Sequence, residues 1–164
     1  MIFFQGIFLH HWSENIIEIC PDESVDKVFT IENLTSFYRF EEEHSLIIYL
    51  GGYHNSSRRK LLMQIYQKLP HARYYHFGDI DAGGFYIFHH LKKKTGIPFQ
   101  MFQMDIDTLK KYECYAKTLT INDRKRLKQL KETEISGEER SLIEYMLQKN
   151  IKLEQECVVG EMEM

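Results

Sequence analysis

Tyr74-Tyr75-His76-Phe77-Gly78-Asp79-Ile80-Asp81-Ala82-Gly83-Gly84 is the stretch whose reading decides the fold. Aromatic and apolar residues up to Phe77 read as a buried strand. Two carboxylates arrive where that run ends, and the glycine pair opens a helical segment from Phe85 to Lys94. Side chains two apart on a strand share a face, so Asp79 and Asp81 are expected to project together, about 7 Å apart at Cα. Like charges that close repel. Water, a raised pKa on one of them, or a divalent cation offsets the repulsion, and Mg²⁺ favours one or two protein carboxylates completed by waters and phosphate oxygens. A lone Asp-x-Asp is more often a solvated acidic turn, so the flanking chain has to decide between the two readings.

Upstream, Val25 to Ile31 is a short β-branched and aromatic run with Glu32 at its mouth, followed by Leu34, Phe37 and Tyr38 at helical spacing. Ser45 to Leu50 is continuously apolar, the pattern of a strand buried on both faces of a parallel sheet. The glycine-led loop Gly51 to Ser57 follows it, then a helix whose face is Leu61, Leu62, Ile65, Tyr66 and Leu69. Downstream, Gly96 stops the helix that began at Gly83-Gly84, and Phe99 to Met104 reads as a fourth strand ending at Asp105. Strands alternating with helices predict an α/β domain: a mainly parallel four-stranded sheet, Rossmann-like, with helices on both faces. Ligand sites in such sheets lie beyond the carboxyl ends of the strands, which brings Glu32, the Gly51 loop, Asp79 with Asp81, and Asp105 to one rim.

The C-terminal part is expected to be helical. Thr120 can cap a helix carrying Leu127 and Leu130, and Ser136-Gly137-Glu138-Glu139 has the pattern of a capping box leading Leu142, Ile143, Met146 and Leu147. Residues 1–25 are expected to form a strand or two, an N-terminal edge left from contact with an upstream region. Residues 26–164 are expected to form the domain proper.

Composition narrows the class. The chain has 164 residues, 43% of them hydrophobic, enough for one domain with a real core. Its 21 basic and 24 acidic residues give a net charge of −3, so charge overall does not advertise nucleic-acid binding. Cys20, Cys114 and Cys157 lie far apart with no C-x-x-C spacing, which argues against a zinc ribbon or a disulfide framework and points to a reducing, cytoplasmic setting. No run reaches the roughly 18 apolar residues of a membrane span.

Thr30-Ile31-Glu32-Asn33-Leu34-Thr35-Ser36-Phe37, then Gly51-Gly52-Tyr53-His54, the Gly78 to Gly84 stretch and Leu153-Glu154-Gln155-Glu156, taken in order, resemble the C-terminal Toprim domain of the Wadjet nuclease subunit JetD family. That domain is similar to the Toprim domains of topoisomerase VI A subunits. The resemblance runs from about Val28 to Glu156. It implies a Toprim fold with C-terminal helices, in a system that cleaves invading plasmid DNA. It also implies Mg²⁺, with Mn²⁺ as an alternative, held by Glu32, Asp79 and Asp81 for phosphodiester cleavage, with Glu154 or Glu156 nearby. Relatives carry an upstream winged-helix region for DNA binding and act with a ring-shaped motor complex of the structural-maintenance-of-chromosomes type. The partners it implies are therefore DNA and such a complex, and a second copy of the chain is a further expected partner.

Other residues have competing explanations. Asp105 reads as an additional metal ligand or as a strand-end turn former. Ser56, Arg58 and Arg59 stand where a helix begins, fitted to receive a phosphate or simply to form a capped, solvated basic start. His54, in the glycine loop, is placed to touch phosphate or a metal-bound water. His76, inside the central strand, reads as a satisfied core residue, and the His89-His90 pair lacks ligand spacing. Two further functions fit the same residues: another metal-dependent phosphoester hydrolase, and a non-catalytic module that binds DNA or a partner protein.

Overall fold

The computed structural model describes residues 7–8, 24–51 and 56–159. A parallel sheet forms its centre, with strands β1 (Ile7–Phe8), β2 (Lys27–Ile31), β3 (Ser45–Tyr49), β4 (Arg73–Phe77) and β5 (Gln100–Met101) in the order β1-β3-β2-β4-β5. The α/β expectation holds. The four anticipated strands are all present, and β1, paired in parallel with Ile48 and Tyr49 of β3, adds a short fifth at the edge. The rest of the anticipated N-terminal edge, up to residue 23, lies outside the described residues, as does His54.

Period-2 alternation explains why the sheet is buried on both sides. Phe29, Ile31, Ile47 and Phe77 enter a core built with Phe37 and Phe40 below, Phe85 of the following helix, and Leu127, Leu142, Ile143 and Met146 of the C-terminal helices. Val28, Leu46, Ile48 and Tyr74 enter the opposite core, closed by Leu61, Leu62, Ile65, Phe88 and Leu91. The helices packed around the sheet are α1 (Leu34–Arg39), α2 (Ser56–Lys68), α3 (Ala82–Thr95), α4 (Ile106–Lys111), α5 (Ile121–Lys131) and α6 (Gly137–Lys149). A two-residue antiparallel pair, β6 (Lys117–Thr118) with β7 (Ile151–Lys152), and the short α7 (Glu156–Val159) complete the chain.

Two local readings need correction. The fourth strand is shorter than Phe99 to Met104: it ends after Met101, and Gln103 takes a positive φ of 52° that turns the chain away from the sheet. The capping box is at α5, not α6. Thr120 accepts from the Asp123 N–H while Asp123 accepts in return from the Thr120 N–H. Ser136 does accept from the Glu139 N–H, but the Glu139 carboxylate turns to His89 Nε2 at 2.6 Å, across to α3.

Register aligns the carboxyl ends of the three central strands. Ile31 faces Tyr49 on one side and Phe77 on the other, and the Glu32 N–H donates to the Phe77 carbonyl at 3.3 Å. Glu32, Leu50 and Gly78 therefore leave the sheet at one level, so residues distant in sequence meet on one rim.

Candidate functional site

On β2 and β4 the residues Thr30 and His76 are cross-strand partners, both fully buried. Glu32 lies two residues beyond Thr30 and so shares its face, opposite Gly78, which extends β4 by one position. The missing side chain at Gly78 is what admits the glutamate: a Cβ there would lie 2.3 Å from Glu32 Oε1 and 3.0 Å from His76 Nε2. In that gap Glu32 Oε1 comes within 3.0 Å of His76 Nε2, and His76 Nδ1 stands 2.9 Å from the Thr30 hydroxyl. A carboxylate only accepts, so Nε2–H donates to Glu32, while the Thr30 hydroxyl that meets Nδ1 also reaches the Tyr75 carbonyl at 3.2 Å. His76 is thus a core residue, as its position in the strand predicts, and also the group that orients Glu32.

Asp79 follows Gly78 and turns inward. Its Oδ1 accepts from the Gln155 backbone N–H at 2.7 Å. Burial pushes the Asp79 carboxyl up to about 6 against that hydrogen bond, and the charges of Asp81, Glu32 and Glu154 push the same way. Asp81 is the N-cap of α3: its Oδ1 accepts from the Gly83 and Gly84 N–H groups at 2.7 and 2.8 Å. Gly84 is required by packing, because a Cβ there would lie 2.1 Å from the Asp79 carbonyl oxygen, which as backbone cannot yield. The Asp-x-Asp pair therefore divides its tasks: Asp79 is the half-buried, charge-crowded member, and Asp81 starts the helix.

The C-terminal segment closes the rim. Ile80 and Leu153 form an antiparallel bridge, with N–H to carbonyl distances of 2.9 and 3.1 Å, between the two aspartates. Gln155, 1% exposed, receives the Asn33 N–H on Oε1 at 3.0 Å and donates from Nε2 to the Phe77 carbonyl at 3.1 Å. It thereby ties the end of β4 to the residue after Glu32. Glu154 contributes charge at Asp79 and pairs with Lys117 at 2.6 Å, whereas Glu156 accepts from the side chain of Asn33, the N-cap of α1. Between the two glutamates, it is Glu154 whose charge bears on Asp79. Lys152, just before the bridge, places Nζ 3.6 Å from Asp81 Oδ2 and 3.0 Å from Asp123 Oδ2. Burial lowers the Lys152 pKa, but Asp123 and Asp81 outweigh it and the net shift is upward, so the ammonium stays charged.

The remaining anticipated residues stand elsewhere. Asp105 is the exposed N-cap of α4, accepting from the Thr108 N–H at 2.7 Å, and it lines the groove between α3 and α6. Ser56, Arg58 and Arg59 occupy the first turn of α2, and Arg59 is near enough to His90 on α3 to help lower its pKa, behind the effect of burial.

Among the described residues no three His, Cys, Asp or Glu side chains close into a metal cage. Carboxylate oxygens are the donor type that Mg²⁺ and Mn²⁺ take, commonly one or two of them with waters completing the shell. The hard oxygen donors of Glu32 and Asp79 fit such an ion. Each has one oxygen held by the protein, with the Glu32 carboxylate filling the space that a side chain at Gly78 would take.

Residues 11–164 match the family model described as "Wadjet protein JetD, C-terminal". The chain belongs to that JetD C-terminal family. A curated relative, "Wadjet protein JetD" of Bacillus cereus (strain Q1), is 29% identical over 147 residues, which cover 87% of this chain and 35% of the relative. The chain thus spans about a third of the length of that JetD protein. All four sequence motifs of the JetD resemblance fall within the matched residues.

Sequence reasoning passed over His76 as a ligand orienter, Gln155 as the clasp and Lys152 as a site residue. For His76 half of the signal was present: positions 28, 30 and 32 share a face of β2 and 74, 76 and 78 a face of β4, and the pairing of those two strands in register then brings Glu32 beside His76. For Gln155 and Lys152 there was none, because their places follow from the Ile80–Leu153 bridge.

Proposed function

We propose that this chain is a Toprim-type domain that hydrolyses DNA phosphodiester bonds with Mg²⁺ or Mn²⁺, working with a motor complex of the structural-maintenance-of-chromosomes type in a Wadjet anti-plasmid system. The observation that carries this reading is Asp79. It is a half-buried carboxylate on which the charges of Asp81 and Glu32 act, at the strand-end rim where such a sheet binds ligands, in a chain of the JetD C-terminal family.

Each residue then has a task. Glu32 and Asp79 hold the cation, which when bound lowers the pKa of a water and offsets charge on the phosphate. His76, anchored by Thr30, fixes the direction of the Glu32 carboxylate. Gln155 fixes Asp79 through its backbone N–H and Asn33 through its side chain, so both ligands are set before substrate arrives. Asp81 sets the start of α3 and turns its second oxygen to Lys152. A DNA phosphate approaching the rim meets that ammonium as well as the cation, which favours an anionic substrate despite the acidic cluster.

The test is supercoiled plasmid incubated with the full-length protein and Mg²⁺ or Mn²⁺. Nicking or linearisation that Asp79→Ala and Glu32→Ala both abolish is the expected result. Cleavage that survives both substitutions, or DNA binding with no cleavage under either metal, would overturn the proposal and favour a binding module.

A further inference from the structure

The two aspartates of the Asp-x-Asp pair are balanced differently. Asp79 has one hydrogen bond, from a backbone N–H, and no cationic side chain among the groups that act on it most strongly. Asp81 has both oxygens engaged: Oδ1 takes two N–H groups of α3, and Oδ2 faces the Lys152 ammonium at 3.6 Å. Lys152 is not a drifting surface lysine. Its side chain is 19% exposed, and it is clamped to Asp123 at 3.0 Å. Asp123 is itself fixed by the Thr120 N–H at 3.0 Å and the Thr120 hydroxyl at 2.8 Å. The Ile80–Leu153 bridge sets the backbone next to it.

In two-metal phosphoryl-transfer sites the ions stand about 3.5–4 Å apart and share carboxylates, so both aspartates of such a pair would carry divalent charge. Here a fixed ammonium already occupies the neighbourhood of Asp81 Oδ2. We propose that each chain holds a single divalent cation, on Glu32 and Asp79, and that Lys152 supplies at Asp81 the positive charge that a second ion would bring. This deepens the metal-dependent reading above and rests on it. Lys152 is then a positioning residue that keeps Asp81 neutralised and bars a second ion, while Asp123 ties that role to the helical part of the domain.

The experiment is Mn²⁺ titration of the full chain, followed by calorimetry and by electron paramagnetic resonance of unbound Mn²⁺. One ion per chain is expected in the wild type. Asp79→Asn should weaken binding at least about tenfold, and Asp81→Asn by less than about threefold. Lys152→Met, with folding verified by circular dichroism and thermal melting, should take up a second ion at Asp81 and Asp123. Two ions of similar affinity in the wild type would overturn the inference while leaving the metal-dependent reading standing. So would equal losses in Asp79→Asn and Asp81→Asn, or a folded Lys152→Met chain that still binds one ion. Should Lys152→Met not fold, the wild-type stoichiometry and the two aspartate variants decide alone. No Mn²⁺ bound by the wild type would overturn both this inference and the metal-dependent reading.

Discussion

The Gln155 backbone N–H donates to Asp79 Oδ1 at 2.7 Å, joining residues 76 positions apart in the chain. Because the Gln155 side chain also engages the Asn33 N–H and the Phe77 carbonyl, one residue near the C-terminal end holds both strand ends from which the candidate ligands project. The site is therefore completed only when the C-terminal helices have docked. Metal affinity and the stability of the C-terminal half should rise and fall together.

Gln155→Ala removes one buried and one part-buried hydrogen bond and leaves the Phe77 carbonyl and the Asn33 N–H without these partners. An unsatisfied buried group costs about 1–3 kcal/mol, so urea denaturation should show a loss of roughly 2–4 kcal/mol. Mn²⁺ affinity should fall with it, since Asp79 loses the anchored segment that orients it.

His76→Phe keeps an aromatic ring of similar volume in the strand and removes the donor to Glu32. Losing a ligand-orienting partner typically lowers metal affinity about 10–100-fold, and the same range is expected here in Mn²⁺ titration, with a smaller change in thermal stability.

Gly78→Ala forces a methyl group against Glu32 Oε1, so the glutamate must leave His76. Overpacking of this kind costs about 1–3 kcal/mol, and the variant should melt earlier and bind Mn²⁺ more weakly. Gly84→Ala meets the Asp79 backbone instead and should be the more damaging of the two to folding.

Asp79 carries a stability cost whose sign follows from its pKa, about 6 in the folded chain against the ordinary 3.8. Between those values the folded state binds more protons than the unfolded state, so stability of the metal-free protein falls as pH rises from about 4 to about 6, and stays lowered above that. Asp79→Asn removes the charge. In EDTA at pH 7.5 it should stabilise the protein by on the order of 1–2 kcal/mol, an advantage that disappears near pH 4. With Mn²⁺ present the order should reverse, because only the wild type gains from binding.

The parallel sheet was legible because its strands carry continuous apolar runs bounded by glycine and acidic residues, and because Asp79-Ile80-Asp81 sits where β4 ends. Glu32, too, could be placed at the rim from the end of the Val25 to Ile31 run. The fourth strand was read too long because Phe102 and Met104 are apolar for another reason: they pack into the core from either side of the turn at Gln103. Ser136 to Glu139 matched a capping pattern whose glutamate is drawn away by His89, a tertiary contact that no local pattern encodes. Lys152 and Gln155 acquire meaning only through the Ile80–Leu153 bridge and the Asn33–Gln155 hydrogen bond, which join residues far apart in the chain.

The most direct test of the central claim is a crystal structure of the protein soaked in Mn²⁺, with the ion located by its anomalous scattering. A peak within coordination distance of both the Glu32 and Asp79 carboxylates, beside Gly78, is the predicted result. A peak that involves neither residue, or none at saturating Mn²⁺, would contradict it.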